Sequence, residues 1–295
     1  MGASRETVSV ILPTYNRAAF IDKAIGSVVA QGRRCDELIV VDDGSTDSTP
    51  QLLHRWSTVC PQLRVLRQGN RGAAAARNTG IRAACGQLLA FLDSDDQWHP
   101  DKLEVQLRAM QVNPAYGVSH TLETWYRHGR RVHQKKKHRP AHGDVFARSL
   151  AMCVIGMSTA IVRRQVFERY GLFDESLPCC EDYEFWLRVG VRERFLRVDQ
   201  ALTIKDGGRS DQLSNRYRVG MDVYRIRALQ TLLQGEELNT GQRQLASREL
   251  LRKCRIYAGG CRKHGRPEEA AYYLRLAGQY QSWQENSSIE QEGVG

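Results

Sequence analysis

Residues 91–100 read FLDSDDQWHP, and Asp93, Asp95 and Asp96 crowd three carboxylates into four positions. Carboxylates this close repel one another, so the cluster is expected to face a cation. Oxygen donors suit a hard divalent ion, Mg2+ or Mn2+, rather than zinc. Such an ion can neutralise negative charge that builds on a bound ligand. A loop of helix-capping aspartates would account for one carboxylate but not for three. Two further acidic pairs stand out. Asp42 and Asp43 follow the apolar run ELIVV, and Glu181 and Asp182 open the helical stretch EDYEFWLRVG, at the positive end of its dipole.

These residues require elements to carry them. VSVIL (8–12), ELIVV (37–41), LRVLR (63–67) and LLAFL (88–92) read as strands. Between them, helical spacing runs from Ala18 to Gln31, with Phe20, Ile21, Ile25, Val28 and Val29 on the apolar face. A second helix starts at Asp47 or Ser48 with Pro50 in its first turn, and a third covers 71–84. Strands alternating with helices imply an α/β fold built on a mostly parallel sheet covered on both sides. In such sheets ligands sit at the carboxyl ends of the strands, where PTYNR (13–17), Asp42 with Asp43, and DSDD all fall. Downstream, 116–126 reads as a strand, HGRRVHQKKKH as a basic turn or hairpin, and 157–167 as a strand leading into a helix. The expected layout is a domain over 1–210, a helical extension over 211–281 and a disordered tail over 282–295.

Lys plus Arg number 43 against 33 Asp plus Glu, a net charge of +10 that points to an anionic partner: a nucleotide, a nucleic acid or a phospholipid headgroup. No RNA- or DNA-binding motif accompanies the charge, which leaves nucleic-acid binding as the remote alternative. No apolar run approaches the roughly 18–20 residues of a membrane span. The start, MGASRETVSV, lacks the apolar stretch of a signal peptide, and Glu6 stands where myristoylation wants Ser or Thr, so a cytoplasmic protein is expected. The eight cysteines are scattered, with Cys179 and Cys180 adjacent, and read as reduced structural thiols. Pro140 between His138 and His142 disfavours the helix that would bring both imidazoles to one zinc ion.

VSVILPTYNR, LIVVDDGSTDST, NRGAAAARNTG, LLAFLDSDD and EDYEFWLRV, in this order and at these separations, resemble the family 2 glycosyltransferases of the GT-A fold over about residues 7–200. The resemblance implies a Rossmann-like sheet, a nucleotide-sugar donor (a UDP-sugar first of all) and a single displacement that inverts the anomeric carbon. It also implies roles for particular residues. Asp93 and Asp95 form the DXD element, with Asp95 and Asp96 the nearer candidates for metal and ribose contacts. Asp43 contacts the uracil, flanked by Pro13 and Tyr15, while Asp42 reads as a turn former. Arg71 and Arg77 lie where a cation faces the diphosphate, or else are solvated helix residues. Asp182 matches the base that takes the acceptor hydroxyl's proton, with Glu181 as the competing acid.

One departure stands against that pattern. Many relatives carry a metal-ligating His near a GGH-like stretch, and here KDGGRSDQLS has Arg209. A guanidinium cannot ligate a cation, though it can bind phosphate. Either the metal is held more weakly or Arg209 supplies part of its charge, and a catalytically inactive nucleotide-sugar-binding protein stays open. RHGRRVHQKKKHRP (127–140) is by default a solvated hairpin, and otherwise a hold for a phosphate-bearing acceptor or a bilayer's anionic face. The stretches 222–233, 245–259 and 270–280 carry apolar stripes beside Arg and Lys. By default they pack on the parent domain or on each other, and otherwise they form a dimer contact or a peripheral membrane face. The sequence as a whole reads as a transferase using Mn2+ or Mg2+ to move a sugar onto a saccharide or lipid-linked acceptor, in surface polysaccharide, lipopolysaccharide or glycoprotein assembly.

Overall fold

The computed structural model describes residues 6–135 and 138–292. Strands β1 (Val8–Thr14), β2 (Glu37–Asp42), β3 (Leu63–Arg67) and β4 (Leu88–Phe91) alternate with helices α1 (Ile21–Val29), α2 (Thr49–Val59) and α3 (Ala73–Ala83). These four strands pair in parallel in the order β3-β2-β1-β4. Every residue of β1 is buried, as expected of a parallel strand covered on both faces.

Beyond β4 the sheet changes sense. The chain continues through β5 (Asp96–Trp98), α4 (Lys102–Val112), β6 (Val118–Arg127), β7 (Arg130–Val132), α5 (Phe146–Ala151) and β8 (Ile161–Arg163). It then passes through α6 (Arg164–Tyr170), α7 (Glu181–Gly190) and β9 (Phe195–Gly207). The order is β3-β2-β1-β4-β8-β6-β9-β5, with β7 paired to β6. β8 is antiparallel to both β4 and β6, β5 is antiparallel to β9, and β6 runs parallel to β9. The mostly parallel sheet expected from the sequence is therefore parallel in its first half and mixed overall. Register shifts between β6 and β9 at Thr121–Glu123 add local twist there.

Pro13 lies in a central strand, a place proline ordinarily avoids. The β4 ladder stops short of it: Ile11 stands opposite Phe91, and the Leu92 N–H donates to the Ile11 carbonyl. Two residues on, Pro13 faces the same side with no partner left for the N–H it lacks. Here β1 and β4 part, and the strand order switches, which is where an open α/β sheet forms its ligand crevice. Gly80 lets α3 rest on β1, because a Cβ there would lie 2.5 Å from Ile11 Cγ2.

Helices α8 (Leu213–Arg216), α9 (Met221–Gln234), α10 (Thr240–Lys263) and α11 (Pro267–Glu292) follow. Their apolar stripes turn inward. Leu229, Leu250, Cys254 and Tyr273 share a buried cluster with Phe146 and Leu150 of α5 and Tyr183 and Leu187 of α7. Buried Lys253 donates to the Ala151 carbonyl at 3.0 Å. The segment 211–281 thus shares a core with 1–210. The tail expected to be disordered continues α11 as helix to Glu292, since SWQENSSIEQE holds neither Gly nor Pro, and 293–295 lie outside the described residues. Among the described residues no helix is long and apolar enough to cross a membrane.

A shared core has a measurable consequence. Leu250→Ala should destabilise the whole chain by about 2–5 kcal/mol, seen as a shift of one unfolding transition in urea. A separate early transition, with the main one unmoved, would show that the extension melts on its own. Truncation after Ser210 should leave a poorly soluble fragment, because Phe146, Tyr183 and Leu187 lose their cover.

Candidate active site

The loops after β1 and β2 are zipped together at the crevice. Asn16, at a left-handed φ of 49°, accepts the Thr46 N–H at 2.8 Å and donates its own N–H to Ser45 Oγ at 2.9 Å. Tyr15, two residues after Pro13 and just past the end of β1, is 39% exposed. Asp42 accepts the Ser45 N–H at 2.9 Å and lies 3.6 Å from Arg67, a turn-forming placement. Buried Asp43 accepts from Gln68 Nε2 at 2.7 Å, from the Arg71 N–H at 3.0 Å and from the Gly72 N–H at 2.8 Å. It fixes the loop ahead of α3 and keeps one lone-pair direction, on Oδ2, for a ligand.

Arg71 and Arg77 part company. The Arg71 side chain is exposed and pairs with Glu175 at 2.5 Å, so its solvated-residue alternative fits its placement. Arg77 is buried on the inward face of α3. It donates through one terminal nitrogen to Asp93 at 2.7 Å and through the other to Glu181. Burial works against its charge, but Asp93 and Glu181 outweigh burial and raise its pKa. At Asp93, burial would lift the pKa, and the charges of Arg77 and then Lys205 hold it below the usual carboxylate range. At Glu181 burial prevails over Arg77, and the neighbouring Asp182 adds to the upward shift. Glu181 is therefore a buried partner of Arg77.

Asp182, in the first turn of α7, is differently held. Its Oδ1 accepts the Tyr183 N–H at 2.7 Å, and its Oδ2 accepts from the Cys153 thiol at 3.3 Å. Burial, and then the Asp182 charge, keep that thiol protonated by raising its pKa far above the ordinary value. The helix begins from Cys180 at a left-handed φ of 65°, a conformation uncommon for a residue with a side chain.

The DSDD carboxylates face three cations. Asp95 pairs with Arg209, with Gln212 Nε2 at 3.4 Å. The Arg209 guanidinium lies 4.2 Å over the Phe20 ring and 3.4 Å from Asp211, which in turn pairs with Arg17 at 2.8 Å. Asp96 opens β5 and is only 3% exposed. Ser158 Oγ accepts the Asp93 N–H at 3.0 Å and donates to Asp96 Oδ2 at 2.6 Å, while Lys205 stands 4.0 Å from that oxygen. Burial pushes the Asp96 pKa well up, Lys205 opposes it only in part, and Asp95 and Asp93 add to it. Asp96, held by Ser158 and turned inward at the start of β5, braces the Ser158 turn.

Among the described residues no three His, Cys, Asp or Glu side chains converge as a ready cation cage. One or two carboxylates suffice for Mg2+ when phosphate oxygens complete the shell. Asp95 and Asp93, with side chains 17% and 29% exposed, offer such a pair. Around them six carboxylates, Asp93, Asp95, Glu123, Glu181, Asp182 and Asp211, outnumber four cations, Arg17, Arg77, Lys205 and Arg209, leaving no surplus positive charge for an anionic ligand. A divalent cation fits that donor set. Sequence reasoning missed Lys205, Glu123, Ser158, Cys153 and Gln212. Lys205 lies 3.6 Å from Glu123, and an alternation search along β9 could have found it, whereas nothing local marks Cys153, 29 residues before its partner.

Comparison with known proteins bears on this arrangement. The profile of glycosyl transferase family 2 matches residues 9–171. An uncharacterized glycosyltransferase of Rickettsia felis is 34% identical over 226 residues, covering 72% of this chain and 36% of that one. The chain spans about a third of the length of this and similar rickettsial relatives. The putative teichuronic acid biosynthesis glycosyltransferase TuaG of Bacillus subtilis is 44% identical over 104 residues, covering 35% of this chain and 41% of TuaG. S. aureus TarS 1–349 in complex with UDP-GlcNAc superposes with a TM-score of 0.71 at 18% identity, covering 95% of this chain and 92% of that one. The mannosyltransferase PcManGT from Pyrobaculum calidifontis, in complex with GDP-Man and Mn2+, gives 0.65 at 19% identity, covering 97% and 81%. Both likenesses establish the GT-A fold.

Two substitutions test the electrostatics. Arg77→Met leaves Asp93 and Glu181 without their cation and should cost about 3–5 kcal/mol. Asp96→Asn mimics the favoured protonated form. Between the unfolded pKa of roughly 3.9 and the raised folded value, the folded state keeps a proton that the unfolded state has released, so stability falls as pH rises. Urea unfolding from pH 4 to 8 should show Asp96→Asn flattening that fall and matching or exceeding the parent at neutral pH. A large neutral-pH loss in Asp96→Asn would mean that the carboxylate is ionised and required.

Proposed function

The chain belongs to glycosyl transferase family 2, and on that premise we propose that it transfers a sugar, with inversion, from a UDP-sugar to a hydroxyl of a saccharide or lipid-linked acceptor. The observation that carries this reading is Arg77, whose two ion pairs hold Asp93 of the DXD element and Glu181, the neighbour of Asp182, around one buried cation. Tyr15 stacks on the base, Pro13 lines its edge, and the remaining Asp43 lone pair accepts the pyrimidine N–H. Mg2+ or Mn2+, held by Asp95 and Asp93, would supply Lewis-acid neutralisation of the leaving diphosphate. Arg209 adds a fixed cation whose N–H groups suit phosphate oxygens.

Asp182 takes the proton of the acceptor hydroxyl as that oxygen bonds to the anomeric carbon and the carbon–phosphate oxygen bond breaks. The Cys153 thiol and the Tyr183 N–H fix the orientation of the carboxylate. Glu181, engaged by Arg77, is not free to serve as an enzymic nucleophile, which favours single displacement and inversion. Surface-polysaccharide assembly is supported by the name of TuaG, and a nucleotide-sugar donor by the ligands of the TarS and PcManGT structures.

Asp182→Asn should keep the thermal shift given by UDP-sugar with Mn2+ yet lose transfer by about 10²–10⁴-fold, the range of a positioned general base. Active Asp182→Asn beside dead but stable Glu181→Gln would reverse the two acids. An unaltered chain that binds donor but neither hydrolyses nor transfers it, with Mn2+ or with EDTA, would be an inactive binding protein.

A further inference from the structure

The basic stretch noted in the sequence lies at the mouth of this crevice. β6 and β9 run in parallel to their ends, with Tyr126 opposite Asp206 and Arg127 opposite Gly207. On the other side of β9, Lys205 pairs with Asp96 of the DSDD element. The turn after Arg127 is therefore level with the loop that carries Arg209 onto Asp95. Contact is close. Gly208 has a φ of 95°, and a Cβ there would lie 2.7 Å from Arg127 Cγ, so the Arg127 side chain crosses the backbone immediately before Arg209. The base of the hairpin is fastened to the site as well. The Trp125 ring lies 5.3 Å from that of His138, and Trp125 Nε1 donates to Glu123 at 2.6 Å, the residue that pairs with Lys205.

The charge of this hairpin is dense and of one sign. Residues 127–139 hold seven Lys and Arg and no Asp or Glu, in a chain whose net charge is +10. Arg127, Arg130, Arg131 and Lys135 are exposed, and none of them forms an ion pair with a carboxylate of the described residues. Other exposed arginines are more scattered: Arg55, Arg64, Arg82 and Arg192 each face a carboxylate, and Arg34 and Arg108, which face none among the described residues, stand far apart in sequence. Unpaired guanidinium groups retain their bidentate capacity for phosphate or carboxylate.

We infer that the β6–β7 hairpin is an acceptor subsite, and that the acceptor is a polyanion whose phosphate or uronate groups lie along Arg127, Arg130, Arg131 and Lys135 while its hydroxyl reaches Asp182. This rests on the transferase reading and adds the acceptor's chemical class. The donor's diphosphate has its own cation in Arg209, inward of the hairpin, so the hairpin charges serve an anion farther from the reacting carbon. A bilayer is the weaker occupant. Interfacial binding draws on a buried apolar face, and Val132 is the hairpin's one exposed large hydrophobic residue.

The test uses the full chain and binding rather than turnover. Inorganic polyphosphate and polygalacturonate supply the two anion chemistries, and mixed phosphatidylglycerol–phosphatidylcholine vesicles supply a lipid surface. The unaltered protein should bind at least one soluble polyanion, with affinity falling steeply as salt is raised. Arg130→Glu with Arg131→Glu should weaken that binding by about tenfold or more and reduce its salt dependence. The UDP-sugar thermal shift of the double variant should stay that of the parent. Preference between the two polymers tells phosphate from uronate. Unchanged polyanion binding in the double variant overturns the inference, and so does binding confined to vesicles. Absence of any UDP-sugar response in the unaltered chain overturns instead the transferase reading beneath it.

Discussion

A guanidinium buried between two carboxylates sets the geometry of this protein. Stripping water from Arg77 costs several kcal/mol, and only a well-placed pair of counter-charges offsets that. Asp93 and Glu181 provide them from opposite ends of the chain's topology, one just after β4 and the other at the start of α7. The ion pair therefore does more than hold charge. It sets where α7 begins, and with it where Asp182 sits. α7 is clamped from behind as well, by Phe185 and Trp186 in the sheet's core and by Tyr183 and Leu187 against the C-terminal helices. Stability in α10 is thereby transmitted, through packed side chains, to the position of a carboxylate in the crevice.

On the other side of the crevice, charges alternate in sign from Arg17 through Asp211 and Arg209 to Asp95. A chain of this kind is balanced as it stands. Asp95 would be a ligand for a divalent cation, which would supply charge neutralisation there, and the Arg209 guanidinium that now holds this carboxylate has the N–H geometry to bind phosphate oxygens. A guanidinium cannot ligate a cation, and at this position it neutralises Asp95 without altering the sheet that carries either residue.

The first half of the fold was legible because buried parallel strands appear as unbroken apolar runs, which is what VSVIL, ELIVV and LLAFL are. β9 was not, since FLRVDQALTIKDG mixes buried and exposed positions and its register against β6 slips at Thr121–Glu123. The acidic cluster was legible by composition, but the division of labour inside it was not. Asp95 and Asp96 are adjacent, and the short strand β5 turns Asp96 inward while Asp95 stays at the crevice. Arg71 and Arg77 differ likewise. Arg77 shares the inward stripe of α3 with Ala74 and Ile81, and Arg71 precedes the helix altogether. Partners that come from distant irregular segments, such as Cys153 and Ser158, carry no local signal at all.

The C-terminal helices bear on where the protein can meet an anionic partner. Their apolar stripes, read alone, suit a membrane face, and their basic residues would assist it. In the fold those stripes are consumed in bracing α5 and α7, and Lys253 and Arg225 lie against the buried Tyr183 ring rather than toward solvent. Charge spent inside the molecule cannot attract a partner outside it. The β6–β7 hairpin is different: its exposed Arg127, Arg130, Arg131 and Lys135 lie close together, without a facing carboxylate among the described residues, level with the loop that carries Arg209. Some of the chain's arginines thus hold the crevice together from within, while this run at its mouth faces outward.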